Sequence, residues 1–313
     1  MSVAIIVSLA ASLGAGEAGA KAWTLENIHI RDPFILPVDE EKRYYLFGTH
    51  ASHAVDFPVY WSMDLKMWEG PVIAFEKHEE FWGDREFWAP EVHRHRGRFF
   101  MFASFNAPGR RRATQILVAD RPTGPYRVHG DKPATPPDWD CLDGTLFIDA
   151  DNQPWIVFCH EWTQTRDGAI CARRLSHDLS KAEGDPVLLF NASAAPWAVE
   201  VGFGGPRKGF VTDGPFMHRT KDGALLMLWS SFSKNGYVQT YARSASGRLS
   251  GPWEQQIDPW FDEDAGHGML FRKFDGRQML VLHRPNGGGR ERAKLFSLSE
   301  TGNGLVVEKR MEP

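Results

Sequence analysis

Cysteine is scarce in this chain, and its distribution excludes more than it supports. Only Cys141, Cys159 and Cys171 occur among 313 residues. An odd, sparse set builds no disulfide framework, and no two are spaced as a Cys-x-x-Cys metal clip. Each reads as a small buried hydrophobe. Charge of either sign is also not in excess. Lys plus Arg number 36 against 40 Asp plus Glu, a net charge of −4. That balance provides no basic field for nucleic acid and no polyanionic tail, and suits a neutral or weakly charged partner such as a carbohydrate. No apolar run is long enough to span a bilayer as a helix. The expectation is a protein without nucleic-acid or membrane partners, with monomer as the default state.

The first residues differ from the rest. Val3 to Leu13 is almost wholly apolar, and Ala18-Gly19-Ala20 resembles a small-residue cleavage site ahead of Lys21. Residues 1–20 are therefore expected to be a signal peptide, and the protein secreted or periplasmic, although no Lys or Arg stands between Met1 and the apolar run. Residues 21–313 are then expected to form a single catalytic domain.

The remainder of the chain is rich in aromatics. The sequence holds 12 Trp and 21 Phe, enough for sheet packing and for sugar-stacking surface besides. It carries an internal repeat and no convincing long amphipathic helix. Five times an apolar strand meets a polar turn and then a second aromatic or aliphatic strand. The first members are Phe34-Ile35-Leu36, Val92-His93-Arg94, Leu146-Phe147-Ile148, Phe216-Met217-His218 and Met269-Leu270-Phe271. The second members are Tyr44 to Phe47, Phe99 to Phe102, Trp155 to Phe158, Leu225 to Leu228 and Met279 to Leu282. Turns such as Asp222-Gly223 and Asp275-Gly276 are hairpin signals. Thr123-Gly124-Pro125-Tyr126 and Ser250-Gly251-Pro252-Trp253 echo one another where an outer strand should begin. A strand-only repeat of this kind predicts an all-β, five-bladed β-propeller with four-stranded antiparallel blades around a central funnel. A β-sandwich would leave the period unexplained.

The residues at each first strand give the repeat its chemical meaning. Asp32, Glu91, Asp143 and Asp213 stand just ahead of their strands, and His267 takes the place in the fifth copy. Inner strands line a propeller's channel, so a shared register would gather four carboxylates and one imidazole in one funnel. Taken singly, Asp before Pro or Gly is an ordinary turn residue. Turn chemistry, however, does not require one phase in every blade. Clustered carboxylates raise one another's pKa, and glycoside cleavage uses that arrangement. One ionised carboxylate activates water, and one protonated carboxyl gives its proton to the leaving oxygen. Trp88, His160, Glu161, Trp162 and Glu200 join Glu91 and His267 as candidate sugar contacts.

Four motifs in order, Arg31-Asp32-Pro33-Phe34, Trp88-Ala89-Pro90-Glu91, Asp143-Gly144-Thr145-Leu146-Phe147 and Asp213-Gly214-Pro215-Phe216, resemble glycoside hydrolase family 43. This family comprises propeller arabinofuranosidases, arabinanases and xylosidases. The resemblance covers nearly all of residues 27–295. It implies an inverting hydrolase acting on α-L-arabinofuranosyl or β-D-xylosyl linkages, with Asp32 as base, Asp143 tuning and orienting the acid, and the acid at Asp213. The family usually has Glu before that Gly-Pro, and Asp is one methylene shorter. Glu200 and Glu91 therefore stay open as substitutes, and Glu91 itself replaces a more usual Asp. The resemblance also implies that a last-blade histidine helps hold a calcium ion or water, which makes His267 the metal-ligand candidate. Calcium prefers oxygen ligands, so such an ion would be structural, and no cofactor is required. Two other readings compete: a carbohydrate-binding propeller with reduced or lost catalysis, and a fructan-type propeller enzyme. The second lacks its expected Glu-Cys pair here.

Overall fold

The computed structural model describes residues 22–311 apart from 52, 203 and 303. The expected signal peptide lies outside the described residues. Twenty strands form five four-stranded antiparallel sheets, each built from strands consecutive in the chain. Blade 1 holds β1 (Arg31–Val38), β2 (Arg43–Thr49), β3 (Asp56–Ser62) and β4 (Glu69–Glu76). Blade 2 holds β5 (Arg85–His95), β6 (Arg98–Asn106), β7 (Ala113–Ala119) and β8 (Arg127–Val128). Blade 3 holds β9 (Cys141–Ile148), β10 (Pro154–His160), β11 (Ala169–Leu175) and β12 (Ala182–Asn191). Blade 4 holds β13 (Asp213–Arg219), β14 (Leu225–Ser233), β15 (Gly236–Ser244) and β16 (Glu254–Gln255). Blade 5 holds β17 (Gly266–Arg272), β18 (Gln278–Arg284), β19 (Arg292–Thr301) and β20 (Gly304–Arg310). The fold is the five-bladed β-propeller expected from the repeat. The two Gly-Pro echoes lie directly before the short outer strands β8 and β16.

Neighbouring blades cover both faces of each sheet, so the second strands read as near-continuous apolar runs rather than alternating ones. Phe99 to Phe105 in β6 and Leu225 to Trp229 in β14 are buried throughout. The core accordingly lies in the seams between blades. Phe57, Phe75, Phe81, Phe87 and Phe105 interlock between blades 1 and 2 at centroid separations of 4.8–6.3 Å, edge-to-face or tilted except for the stacked pair Phe75–Phe87. Phe190, Trp197 and Trp229 fill the seam of blades 3 and 4.

Among the described residues, no strand is exchanged to close the ring. Blade 5 instead meets blade 1 through the segment ahead of β1. Ile30 N–H donates to the Glu291 carbonyl (3.2 Å), Arg292 donates to the Glu26 carbonyl (2.8 Å), and Lys294 pairs with the Glu26 carboxylate (2.5 Å). The nearly buried Glu291 carboxylate gathers His29 (2.9 Å) and Arg31 (3.4 Å).

One irregularity recurs in all five inner strands and shapes the funnel. Each has a β-bulge near its start: Arg31 pairs with Thr49, but Phe34 with Phe47. The same slip separates Trp88 from Glu91, Leu142 from Thr145, Asp213 from Phe216 and Gly266 from Met269. The first bulge residue is left-handed in every blade: Asp32 (φ 50°), Ala89 (46°), Asp143 (55°), Gly214 (54°) and His267 (51°). For a non-glycine residue that conformation costs on the order of 1 kcal/mol or more. A bulge turns consecutive side chains off strict alternation, so Arg31 with Asp32, and Leu142 with Asp143, both reach the funnel.

Candidate active site

The mouth of the funnel is a cavity of about 660 Å³ lined by, among others, Asp32, Trp88, Asp143, Glu161, Asp213 and His267. The bulges sort the expected residues. Asp32, Asp143 and His267 share the left-handed slot. Asp213 stands one residue earlier, in the slot of Arg31, Trp88 and Leu142. Gly214 occupies its blade's left-handed slot because nothing larger fits there: a Cβ would stand 2.8 Å from the His267 ring. The single shared register expected for five residues thus holds for three, and Asp213 reaches the same cavity from the neighbouring slot.

The remaining candidates separate. Glu91 lies past the bulge, in the slot of Phe34 and Thr145, buried and paired with His93 (3.1 Å) below the cavity rather than lining it. His160, at the end of β10, stacks on Trp139 (4.1 Å between centroids) and bonds Gln164, away from the funnel. Glu200 pairs with Arg166 (2.8 Å) in an adjoining cavity. Glu161 does line the funnel, held by Arg112 (3.2 Å) and by the Thr163 hydroxyl (2.7 Å). The Arg112 guanidinium also lies 4.8 Å from the Trp88 ring centroid, a cation–π contact that braces the ring at the funnel.

The three aspartates are wired differently. The Asp32 carboxylate accepts from the Thr49 hydroxyl (2.8 Å) and lies 3.2 Å from His267 Nδ1. Thr49 in turn accepts from the Ala89 N–H (2.8 Å), tying this carboxylate to blade 2. Burial pushes the Asp32 pKa up, but the charges of His267 and Arg31, together with the Thr49 bond, outweigh it and hold the carboxyl below its ordinary value. Asp143 accepts from the Gly214 N–H (3.0 Å) and lies 3.8 Å from the same His267 nitrogen. Burial, reinforced by the charge of Asp32, raises its pKa well above the usual carboxylate range. Asp213 accepts from the Tyr237 hydroxyl (3.1 Å). Burial, then the neighbouring Asp143, lifts its pKa to about 7.

Beneath Asp32 lies His283, fully buried and stacked on Tyr237 (5.6 Å, 15°). Burial lowers its pKa to about 4. Its Nδ1 accepts from the Asp32 N–H (3.2 Å), so the proton of the neutral ring sits on Nε2, facing Asn286 Oδ1 (3.2 Å). Thr49, Tyr237, His283, Arg112 and Glu291 escaped the sequence reading. Arg31 stood inside a quoted motif without a role.

Among the described residues, no group of three or more His, Cys, Asp and Glu side chains could hold a metal ion. His267 offers one nitrogen, and its nearest oxygens belong to Asp32 and Asp143. That donor set does not fit a calcium ion, which takes six to eight oxygens.

Residues 26–299 match the profile of glycosyl hydrolases family 43. The chain belongs to this family. It is similar to a solved endo-arabinase from Bacteroides thetaiotaomicron (42% identity, TM-score 0.85, 89% of this chain and 97% of that one). A thermostable family-43 glycoside hydrolase is similar at 25% identity and a TM-score of 0.79, over 91% of this chain and 95% of that one. Among curated proteins, extracellular endo-α-(1→5)-L-arabinanase 1 of Bacillus subtilis matches at 23% identity over 169 residues. That match spans 50% of this chain and 52% of the relative.

Proposed function

We propose that this family-43 protein is an inverting endo-acting hydrolase of α-1,5-linked L-arabinofuranosyl chains, exported to act on them. The observation that carries the reading is the opposite displacement of two carboxyls in one cavity: Asp32 below its ordinary pKa and Asp213 at about 7. Asp32 is the base that takes a proton from the attacking water. Asp213, neutral below about pH 7, gives its proton to the departing glycosidic oxygen. Asp143, itself raised by burial and by Asp32, shares the buried site with Asp213; the two carboxyls cannot both ionise there, which keeps a proton on the pair. Glu200 and Glu91 lie outside the funnel's lining, which favours Asp213 as the acid despite its shorter side chain. The choice of arabinan over xylan rests on the endo-arabinase that resembles this chain over nearly all its length. The same relative supports cleavage within the chain over end-trimming.

The test is reducing-end release from linear α-1,5-arabinan and from xylan, with Asp32→Ala as control. Arabino-oligosaccharides should appear before free arabinose, xylan should stay intact, and the control should lose roughly a thousandfold or more. Turnover of xylan in preference to arabinan, or an active control, would refute the assignment. Binding of arabinan without turnover would return the reading to a carbohydrate-binding propeller.

A further inference from the structure

Beside the funnel, across Trp162, lies a second cavity of about 670 Å³. Four of its lining residues are cationic: Arg111, Arg166, Arg207 and Lys208. Two of these charges are neutralised, Arg111 by Asp140 and Arg166 by Glu200, each at 2.8 Å. The other two are not. Arg207 donates to the Thr163 carbonyl (3.2 Å), and no carboxylate of the described residues pairs with it or with Lys208. In a protein of net charge −4, two uncompensated cations in a concavity form a local field of the opposite sign. A neutral pentose chain makes no use of that field.

We propose that this cavity is a subsite for a carboxylate-bearing sugar, a uronate unit attached to or adjoining the neutral chain cut in the funnel. The planar guanidinium fork of Arg207 matches a carboxylate in two parallel bonds, and Lys208 adds a mobile point charge. Arg166 is largely exposed, at 75% of its side chain, and can leave Glu200 for the ligand. Trp162 borders both cavities, so a saccharide crossing it would place a neutral unit over the aspartates and an acidic one among the cations. The inference rests on the glycosidase reading for its placement on the substrate, though not for the binding itself.

Calorimetry with trigalacturonate and, separately, with linear α-1,5-arabinotriose tests it on the wild-type chain and on Arg207→Gln/Lys208→Gln, with circular dichroism to check the fold. Wild type should bind trigalacturonate more weakly as salt rises. The double variant should lose roughly tenfold or more of that affinity, the worth of a charge-assisted bond pair. Arabinotriose binding and turnover of linear arabinan should be the same in both proteins. Absence of trigalacturonate binding in the wild type, or its retention in the folded double variant, would overturn the proposal. If trigalacturonate binds and the variant loses it while arabinan is never cut, the acidic subsite stands and the arabinanase reading falls.

Discussion

Replacing Asp213 by asparagine should damage catalysis and strengthen the fold in the same molecule, with both effects set by one displaced pKa. The carboxyl sits at about 7 in the folded chain against 3.8 for an ordinary aspartate. Because the folded value is raised, the native state holds a proton that the unfolded chain has released between these limits, so stability falls as pH rises. The contribution of the neutral carboxyl is intact below about 3.8 and gone once pH has passed about 7. At 1.36 kcal/mol per unit, the ionised group costs up to about 4 kcal/mol at pH 8, an upper bound for a site that water can enter. Asparagine has nearly the same shape and cannot ionise. Urea denaturation of Asp213→Asn should therefore show a gain on the order of 2–4 kcal/mol at pH 8, shrinking toward zero near pH 3.5. On linear arabinan the variant should lose about 10²–10⁴-fold in kcat and lose the alkaline limb of its pH profile, since the proton donor is gone. An aryl arabinofuranoside with an acidic phenol as leaving group needs less protonation and should lose far less. A stability difference that does not change with pH would refute the displaced pKa. A surviving alkaline limb near pH 7 would assign the acid to another group.

Other outcomes depend on the same contacts. His267→Asn removes a charge that lowers both Asp32 and Asp213, so both limbs of the kcat/KM profile should move to higher pH; opposite movements would contradict the geometry. Thr49→Val deletes the hydroxyl that donates to Asp32 and accepts from Ala89. The acid limb should rise and kcat fall about tenfold, the worth of one charge-assisted bond, and pH–rate measurements would check both. Glu291→Ala unties His29 and Arg31 at the ring closure. It should lower unfolding stability by roughly 2 kcal/mol by urea titration, less than for a fully buried pair because both partners are about one-third exposed.

The blade count and inner hairpins were legible because each hairpin needs only its own residues: an apolar run, a polar turn and a second apolar run. The outer strands were not, since β8 and β16 are two residues long and owe their place to neighbouring strands. Within the site, the motifs named Asp32, Asp143 and His267, but reading them in a single phase also put Glu91 on the funnel. The bulge explains the error. It inserts one residue where alternation would be counted, which carries Glu91 out of the lining and brings Asp213 in from the preceding slot. The supporting residues left no local signal. Thr49 meets Asp32 across 17 positions through the bulged register of the first hairpin, and His283 across 251 through the closed ring, neither marked by a local motif. Tyr237, with no motif around it, reaches Asp213 from the third strand of blade 4.

The stereochemistry of cleavage tests the central claim, that Asp32 activates water for a single displacement, most directly. Proton NMR of an α-1,5-arabino-oligosaccharide, recorded in the first moments of hydrolysis, should show the β anomer forming at the new reducing end, as required by water activated at Asp32 and a single displacement. First appearance of the α anomer would mean a covalent intermediate and would contradict Asp32 as the base that activates water.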